Sequence, residues 1–349
     1  MVPMRKTHVL RLACLAATAG ALALAGCSAG RDAGLAEAAA APSRAPAVGA
    51  DALRPAASLP PAVRVAVARE LGKAPEDVTD EDLAGVAELS LCGTQVADLR
   101  FLRHLPALRV LDLRYTPVSD LAPVAPLKDL WWLNLEGTRV ADLAPLAGLP
   151  HLTKLFITDT AVSDLGPLSS HVHLRSFSCE GTRVSDLGPL ARATDLWYLW
   201  CDNTRVANLE PLRGATALRK LSLRNTPVSD LAPLRDHRHL EEVDLAGAAV
   251  ADLGPASQWT RLMRLSVART GVADLSALQA SGALEWLDAS DTPLSDLAPL
   301  AALTQLRYLD VSNTRVANLQ PLKALTRLET VLVRGTPAVR GTPKHAGER

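Results

Sequence analysis

The sequence predicts an α/β solenoid of about twelve coils that carries a parallel sheet along one side. The first observation is a strict 22-residue period in leucine. The second is a short apolar alternation in each period, as in KLSLR at residues 220–224, which is typical of a strand. The third is that one such coil cannot bury its own ring of leucines and must stack on its neighbours. The period begins at Val86 and continues with leucine at positions 108, 130, 152, 174, 196, 218, 240, 262, 284, 306 and 328.

The coils share the pattern L-x-x-L-x-L-x-x-T-x-V-x-D-L-x-P-L, whose first leucine we call position 1. This pattern resembles that of leucine-rich repeat proteins, and in particular the bacterial internalin-like class with 22-residue coils. The resemblance covers roughly residues 62–337, with the repeats themselves at 86–337. It implies a right-handed coil, a parallel sheet on the concave face and a short helical cap before the first coil.

The segment 62–85 has the features expected of that helical cap. Val63 and Val67 lie on one face of a predicted helix, and Gly72 can end it. A T-x-x-D sequence that begins at Thr79 predicts the start of a second short helix. We expect a cap here because an uncovered first coil would expose its apolar end.

The first 26 residues resemble a bacterial lipoprotein signal peptide. They combine a basic start with an apolar run too short to span a bilayer, and LAGC at 24–27 resembles a lipobox. The resemblance implies cleavage before Cys27 and lipidation of its thiol, and Ser28 is typical of outer-membrane sorting. An ordinary secretory signal is the alternative.

The regions on either side of the predicted domain offer little to bury. Residues 27–61 are rich in Ala and Pro and predict a flexible tether that begins at the lipidated cysteine. Residues 338–349 form a polar tail with no matching C-terminal cap. The tether is therefore expected to hold the folded domain at a distance from the membrane.

Composition and motifs exclude several classes of function. The chain carries 37 basic and 37 acidic residues, so nucleic acid is not an expected partner. The chain has no G-x-S-x-G, H-E-x-x-H, C-x-x-C, P-loop or dinucleotide-binding motif. We therefore predict no catalytic residues, no cofactor and no metal site.

Two polar columns repeat too faithfully to be variable binding residues. Position 9 is Thr in eleven coils, with Ala248 as the exception, and is expected to satisfy backbone groups at the turn that leaves the strand. Position 13 is Asp in nine coils and Asn at 208 and 318, which suits capping of the next short turn. A column of carboxylates that binds calcium is the alternative for position 13.

Histidines and cysteines supply weaker candidates. His171 with His173, and His237 with His239, have a spacing that could share a metal, and His151 lies one coil before His173. Ordinary rim or interior histidines are the alternative.

Cys179 and Cys201 occupy position 6 in adjacent coils, where they either replace leucine as buried thiols or form a disulfide.

The outward strand positions 2, 3, 5 and 7 differ from coil to coil, which favours them as the binding face. Five of six tryptophans and two of three tyrosines lie at positions 2, 3 or 5, although aromatics make up only 3% of the chain. We predict two aromatic walls about 10 Å apart, two strand spacings, with a serine floor between them. The predicted partner-binding residues are Trp132, Phe156, Ser176, Ser178, Tyr198, Trp200, Lys154, Glu180, Asp202, Lys220, Arg224, Trp286 and Tyr308.

Two alternatives stay open for this face. The rings could stack on one another merely to cover the strands. An acidic group in the C-terminal half could be a separate contact zone or solvated surface, and it consists of Glu242, Asp244, Asp288 and Asp310.

Together these features predict a monomeric, non-catalytic protein-interaction module that is anchored by lipid in the bacterial envelope and sorted to the outer membrane. The partner is expected to be a protein on the concave face. A receptor for cell-wall glycan or a small ligand, with the aromatic rings stacked on sugar faces, is the alternative.

Overall fold

A computed structural model describes residues 55–338 of the chain. The predicted signal peptide, Cys27, most of the predicted tether and nearly all of the polar tail lie outside these residues. Twelve parallel strands form one sheet in strict chain order, and each strand pairs with the strand 22 residues further on. The predicted leucine-rich repeat solenoid is confirmed.

Each of the first eleven coils consists of a three-residue strand, a turn, and a short 3-10 helix that returns the chain. Three short α-helices precede the first strand: α1 (Pro55–Ser58), α2 (Pro61–Leu71) and α3 (Asp80–Ala84). The strands β1 to β12 span Glu88–Ser90, Val110–Asp112, Trp132–Asn134, Lys154–Phe156, Ser176–Ser178, Tyr198–Trp200, Lys220–Ser222, Glu242–Asp244, Arg264–Ser266, Trp286–Asp288, Tyr308–Asp310 and Thr330–Leu332.

The 3-10 helices lie on the opposite side of each coil from its strand. One lies between α2 and α3, at Pro75–Asp77, and the others follow the strands in order. They span Arg100–His104, Ala122–Val124, Ala144–Leu146, Gly166–Leu168, Gly188–Leu190, Glu210–Leu212, Ala232–Leu234, Gly254–Gln258, Ser276–Ala280, Ala298–Leu300 and Gln320–Ala324.

The core is a stack of inward-facing leucines. In the seventh coil, Leu218, Leu221 and Leu223 at positions 1, 4 and 6 are almost completely buried. The same positions of the flanking coils supply the apolar neighbours, because every strand is in register with the next. Burying one leucine contributes about 1.5–3 kcal/mol, so stability depends on coil-to-coil stacking.

The turn after each strand is built by positions 8 and 9. Position 8 has a φ between 53° and 72° in all twelve coils, a conformation that Gly, Asn and Asp tolerate best. Tyr115 and Arg269 adopt it as well, at a cost of about 1 kcal/mol each. At position 9 the Thr hydroxyl donates to the carbonyl of position 6, at 2.5–2.8 Å in eleven coils, which confirms its structural role.

Position 13 has the predicted capping role. Its Asp or Asn side chain accepts a hydrogen bond from the backbone N–H of position 15, at 2.7–2.9 Å in eleven coils. That N–H is in the first turn of the 3-10 helix and has no partner within the helix. Asn208 and Asn318 make the same bond, so the contact needs an oxygen acceptor and not a charge.

The N-terminal helices begin earlier than the sequence indicated. Helix α1 lies inside the segment 27–61, for which the sequence predicts a tether. Ala56 and Leu59 are buried and the Ala56 N–H donates to Asp80, so this end of the segment belongs to the folded domain. In α2, Val63 and Val67 are fully buried in the same cluster as the leucines of the first coil.

The predicted ends of the helices are confirmed. Gly72 ends α2 with a φ of 67°, and Thr79 forms a reciprocal capping box with Asp82 at the start of α3. No helix within residues 55–338 has the length and apolar character needed to cross a bilayer.

Cys179 and Cys201 are fully buried free thiols whose sulfur atoms lie 3.4 Å apart. They replace leucine at position 6 of adjacent coils, so they belong to the core.

Two histidines are also buried in the core, at position 20. Neither ring nitrogen of His171 has a hydrogen-bond partner, and His237 has one unpartnered nitrogen, Nδ1. The other nitrogen of His237 lies 3.1 Å from the Leu212 carbonyl. Burial holds the pKa of both rings below the usual range, so both are neutral inside the solenoid.

These rings make the solenoid sensitive to acid. Because their pKa is lowered on folding, the unfolded chain binds more protons below pH of about 6.5, and stability falls as the pH falls. We expect His171→Leu to raise the free energy of unfolding at pH 5 by about 1 kcal/mol or more, and by less at pH 8. Urea denaturation at both pH values measures this. His151→Ala, at an exposed position, is the control, and equal gains at both pH values would contradict the explanation.

Candidate binding face

The strand register arranges the outward side chains in straight columns across the sheet. Phe156, Ser178 and Trp200 are direct neighbours at position 5 of β4, β5 and β6. At position 3 of the same strands, Ser176 lies between Lys154 and Tyr198. The predicted residues of the N-terminal half are therefore brought together on one face.

Two aromatic pairs border the serines. Trp132 and Phe156 have ring centroids 5.9 Å apart with planes tilted by 52°, and Tyr198 and Trp200 stack at 5.8 Å. The serines between them are buried, and the Cα columns of Phe156 and Trp200 are about 10 Å apart because two strand spacings separate them. Rings do stack on one another here, and both outward residues of β5 between the two pairs are serines; we call this strip, between Phe156 and Trp200, the gap over β5.

The two rings of the first pair play different parts. Trp132 is only 6% exposed, whereas Phe156 is half-buried. The indole therefore supports the Phe156 ring from below and offers little surface of its own. Sequence position alone did not distinguish these two roles.

Carboxylates line the position 7 edge of the gap. Glu180 accepts a hydrogen bond from the Ser178 hydroxyl at 3.1 Å, and Asp202 accepts from the Ser222 hydroxyl at 2.5 Å and from the Arg224 N–H at 2.9 Å. Burial of the Glu180 carboxyl, followed by repulsion from Asp202, raises its pKa to about 7. Burial also raises the pKa of Asp202.

The acidic edge continues toward the N-terminus. The Tyr115 hydroxyl donates to Glu136, and this hydrogen bond raises the pKa of Tyr115 to about 12. The Tyr115 ring lies directly over Gly137, where a Cβ atom would come within 2.5 Å of it. The sequence analysis did not select Tyr115, although its unusual position 8 was a usable signal.

The basic residues predicted for the site contact groups other than the carboxylates of the gap. Lys220 pairs with Glu242 at 2.8 Å, and Arg224 pairs with Asp244 at 3.0 Å, both on the C-terminal side of the gap. Lys154 lies over the Trp131 ring at 5.6 Å from its centroid. None of these three cations forms an ion pair with Glu180.

A tryptophan between two arginines borders the other edge of the face. Trp197 is 36% exposed at position 2, and Arg175 and Arg219 in the flanking coils lie 5.1 and 5.5 Å from its ring centroid. The predicted site set omitted all three residues. Their signal was present in the sequence, since arginine, tryptophan and arginine follow one another at position 2 of successive coils.

The C-terminal half carries a separate aromatic stack. Trp286 and Tyr308 are 5.3 Å apart and nearly parallel, at 10°, and Arg264 lies over Trp286 at 5.0 Å. Three of the four acidic residues predicted there have a structural role. Asp244, Asp288 and Asp310 each accept the N–H of position 7 in their own coil.

The candidate histidines do not converge. His173 faces Asp195 at 3.1 Å, while His171 points into the core. In the part of the chain that the structure describes, no group of three or more His, Cys, Asp or Glu side chains is placed to hold a metal ion.

Glu180 makes stability depend on pH in the direction opposite to the histidines. Its pKa rises from 4.5 to about 7 on folding, so its contribution is present below pH 4.5 and is lost as the pH rises through 7. We expect Glu180→Gln to raise the free energy of unfolding at pH 8 by about 1 kcal/mol, since the shift is partly screened by solvent, with no gain at pH 4.5. Chemical denaturation across this range measures it. Glu285→Gln is the matched control, and an equal effect of both variants would refute the burial argument.

Comparisons with known proteins support the leucine-rich repeat fold. A family model for Leucine Rich repeats (2 copies) matches residues 283–332. No curated protein matches the chain by sequence. Among solved structures, an internalin from Listeria monocytogenes, InlF, is similar at 26% identity with a TM-score of 0.75, over 79% of this chain and 82% of the internalin.

Two further structures share the fold. A leucine-rich repeat protein of Leptospira interrogans is 17% identical with a TM-score of 0.68, over 73% of this chain and 68% of its own. The functional domain of InlJ from Listeria monocytogenes, which includes a cysteine ladder, is 17% identical with a TM-score of 0.60, over 78% of this chain and 68% of its own. The chain thus carries leucine-rich repeats and has internalins among its structural neighbours.

Proposed function

We propose that this protein is a non-catalytic protein-binding module that lipid at Cys27 anchors in the bacterial envelope. The observation that carries the binding role is the aromatic gap over β5, with Phe156 and Trp200 on its two sides. Partly exposed aromatics ringed by polar groups are where protein interfaces concentrate binding energy. Leucine-rich repeat folds are typically interaction modules, which supports the same reading.

Rigidity of the face favours tight recognition. The outward side chains at positions 3 and 5 stand on three-residue strands, and positions 2 and 7 flank these strands directly. Each strand is hydrogen-bonded in register to neighbours on both sides, except at the two ends of the sheet. Binding therefore orders few backbone degrees of freedom, which reduces its entropic cost. We also propose that α1, α2 and α3 cap the first coil, since Val63 and Val67 are buried with its leucines.

The surroundings of the aromatic residues favour a protein partner over a sugar. A sugar ring stacks on an open aromatic face, but Trp197 lies between two arginines and Trp286 lies between Arg264 and Tyr308. Those two indole rings are occupied within the chain, which leaves the gap over β5 as the better place for a partner.

The anchor and the location rest on the sequence of the N-terminus. The lipobox LAGC at 24–27 supports lipidation at Cys27, and Ser28 supports sorting to the outer membrane. A tether that starts at this cysteine would hold the solenoid near the membrane with its sheet face free to meet a second envelope protein.

Replacing Trp200 tests the binding role. We expect Trp200→Ala to weaken partner capture by at least about 30-fold, because a central aromatic typically contributes about 2 kcal/mol or more to an interface. In-cell crosslinking in the native envelope, followed by mass spectrometry, identifies the partner and compares its yield between variants.

Met263→Ala is the matched control, since Met263 is an exposed apolar residue at position 2 of a distant coil. Unchanged capture by Trp200→Ala would show that the aromatic gap is not the site. Crosslinks to wall glycan in place of protein would favour a glycan receptor.

Replacing Cys27 tests the anchor. We expect Cys27→Ser to move the protein from the membrane fraction to the soluble fraction, because serine cannot take the thioether-linked lipid. Fractionation with a Cys92→Ser control measures this. Retention of the Cys27→Ser variant in the membrane fraction would refute a lipid anchor.

A further inference from the structure

We infer that the gap over β5 receives a long basic side chain, lysine or arginine, of the protein partner. In this arrangement Phe156 and Trp200 contact the side chain from two sides, Ser176 and Ser178 lie beneath it, and Glu180 and Asp202 meet its charge. The inference rests on the proposed protein-binding function and names the chemistry that the partner must present.

The position of the two aromatic rings suits a long side chain. Phe156 and Trp200 are separated by one strand, so their Cα columns are about 10 Å apart. A partner side chain that lies over β5 is therefore within reach of both rings. Cations are attracted to aromatic rings, and the aliphatic part of a lysine or arginine packs against them as well.

The floor of the gap holds an unused polar group. Ser176 is 4% exposed, it stands at an outward position of β5, and its hydroxyl has no hydrogen-bond partner among the described residues. Its neighbour Ser178 is different, because it bonds both Thr158 and Glu180. The Ser176 oxygen is not among the fully buried atoms that lack a hydrogen-bond partner in the described residues, so it is reachable from the face and can accept from an incoming N–H donor.

The carboxylates beside the gap form no ion pair within the described residues. Glu180 and Asp202 are largely buried, and no ion pair joins either of them to a basic residue in the described part of the chain. Glu136 and Asp159 add negative charge near Glu180. Burying a carboxylate without a cation is costly, which is why burial raises the pKa of Glu180.

The basic side chains that border the gap are engaged elsewhere. Lys154 lies over Trp131 and Arg175 over Trp197, while Lys220 and Arg224 pair with Glu242 and Asp244. A cation of the partner would therefore supply the ion pair that Glu180 and Asp202 lack within the described residues.

The acidic edge suits an organic cation better than a metal ion. The carboxylates stand one to a coil along the position 7 edge, and no metal-holding group of three forms within residues 55–338. Aromatic walls on two sides offer no ligands to a metal, but they do bind ammonium and guanidinium groups.

Short capped peptides of the form Gly-Gly-X-Gly-Gly test the inference on the full-length chain. X is arginine, lysine or citrulline, which has the shape of arginine without its charge. We expect the arginine and lysine peptides to shift the indole N–H resonance of Trp200, assigned through Trp200→Phe, in a saturable way. The citrulline peptide should bind at least about tenfold more weakly.

The matched variants separate charge from shape. We expect Glu180→Gln to weaken binding of the arginine peptide about tenfold, and Glu285→Gln, which removes the same charge elsewhere on the face, to leave it unchanged. Equal binding of the citrulline peptide, no saturable shift with any peptide, or an unaffected Glu180→Gln variant would each overturn the inference.

Crosslinking in the envelope distinguishes this inference from the proposed function. If Trp200→Ala loses the partner while Glu180→Gln retains it fully, the face binds protein but does not capture a basic side chain. If both variants retain the partner, the proposed binding face fails as well.

Discussion

The whole structure depends on one constraint, which is that the leucines inside each coil can be buried only by the leucines of the next coil. A single 22-residue coil has no second layer to cover its apolar side chains. Stacking solves this for Leu218, Leu221 and Leu223, as it does for every interior coil. The parallel sheet and its strict register both follow from this constraint.

The same stacking divides the sequence into residues that maintain the fold and residues that are free to vary. Threonine at position 9 repeats because its hydroxyl donates to the carbonyl of position 6. Asp or Asn at position 13 repeats because it accepts an N–H that the 3-10 helix leaves unpaired. In NTPVSDLAPL at 225–234, Thr226 and Asp230 have these roles. Residues at positions 2, 3, 5 and 7 have no such role that repeats in every coil, and the aromatic gap lies there.

Electrostatics distinguishes two kinds of carboxylate on this face. Asp244, Asp288 and Asp310 at position 5 accept a backbone N–H from their own coil, and Asp244 also pairs with Arg224. Glu180 at position 7 is partly buried, receives only a serine hydroxyl and lies close to Asp202. The first group contributes to the fold, whereas Glu180 lowers stability above pH 7, a cost that a cationic partner would offset.

The sequence by itself determined the coil, the period, the sheet and the polar columns, because a 22-residue repeat leaves one way to bury its leucines. It also placed Phe156, Ser178 and Trp200 on one face, since register in such a stack follows directly from the period. Only the tertiary structure decided how deeply each side chain is buried and which partner it chooses. It made Trp132 a support for Phe156 and turned Lys220 and Arg224 away from the gap, because side-chain contacts between coils depend on rotamers and neighbours that no period specifies.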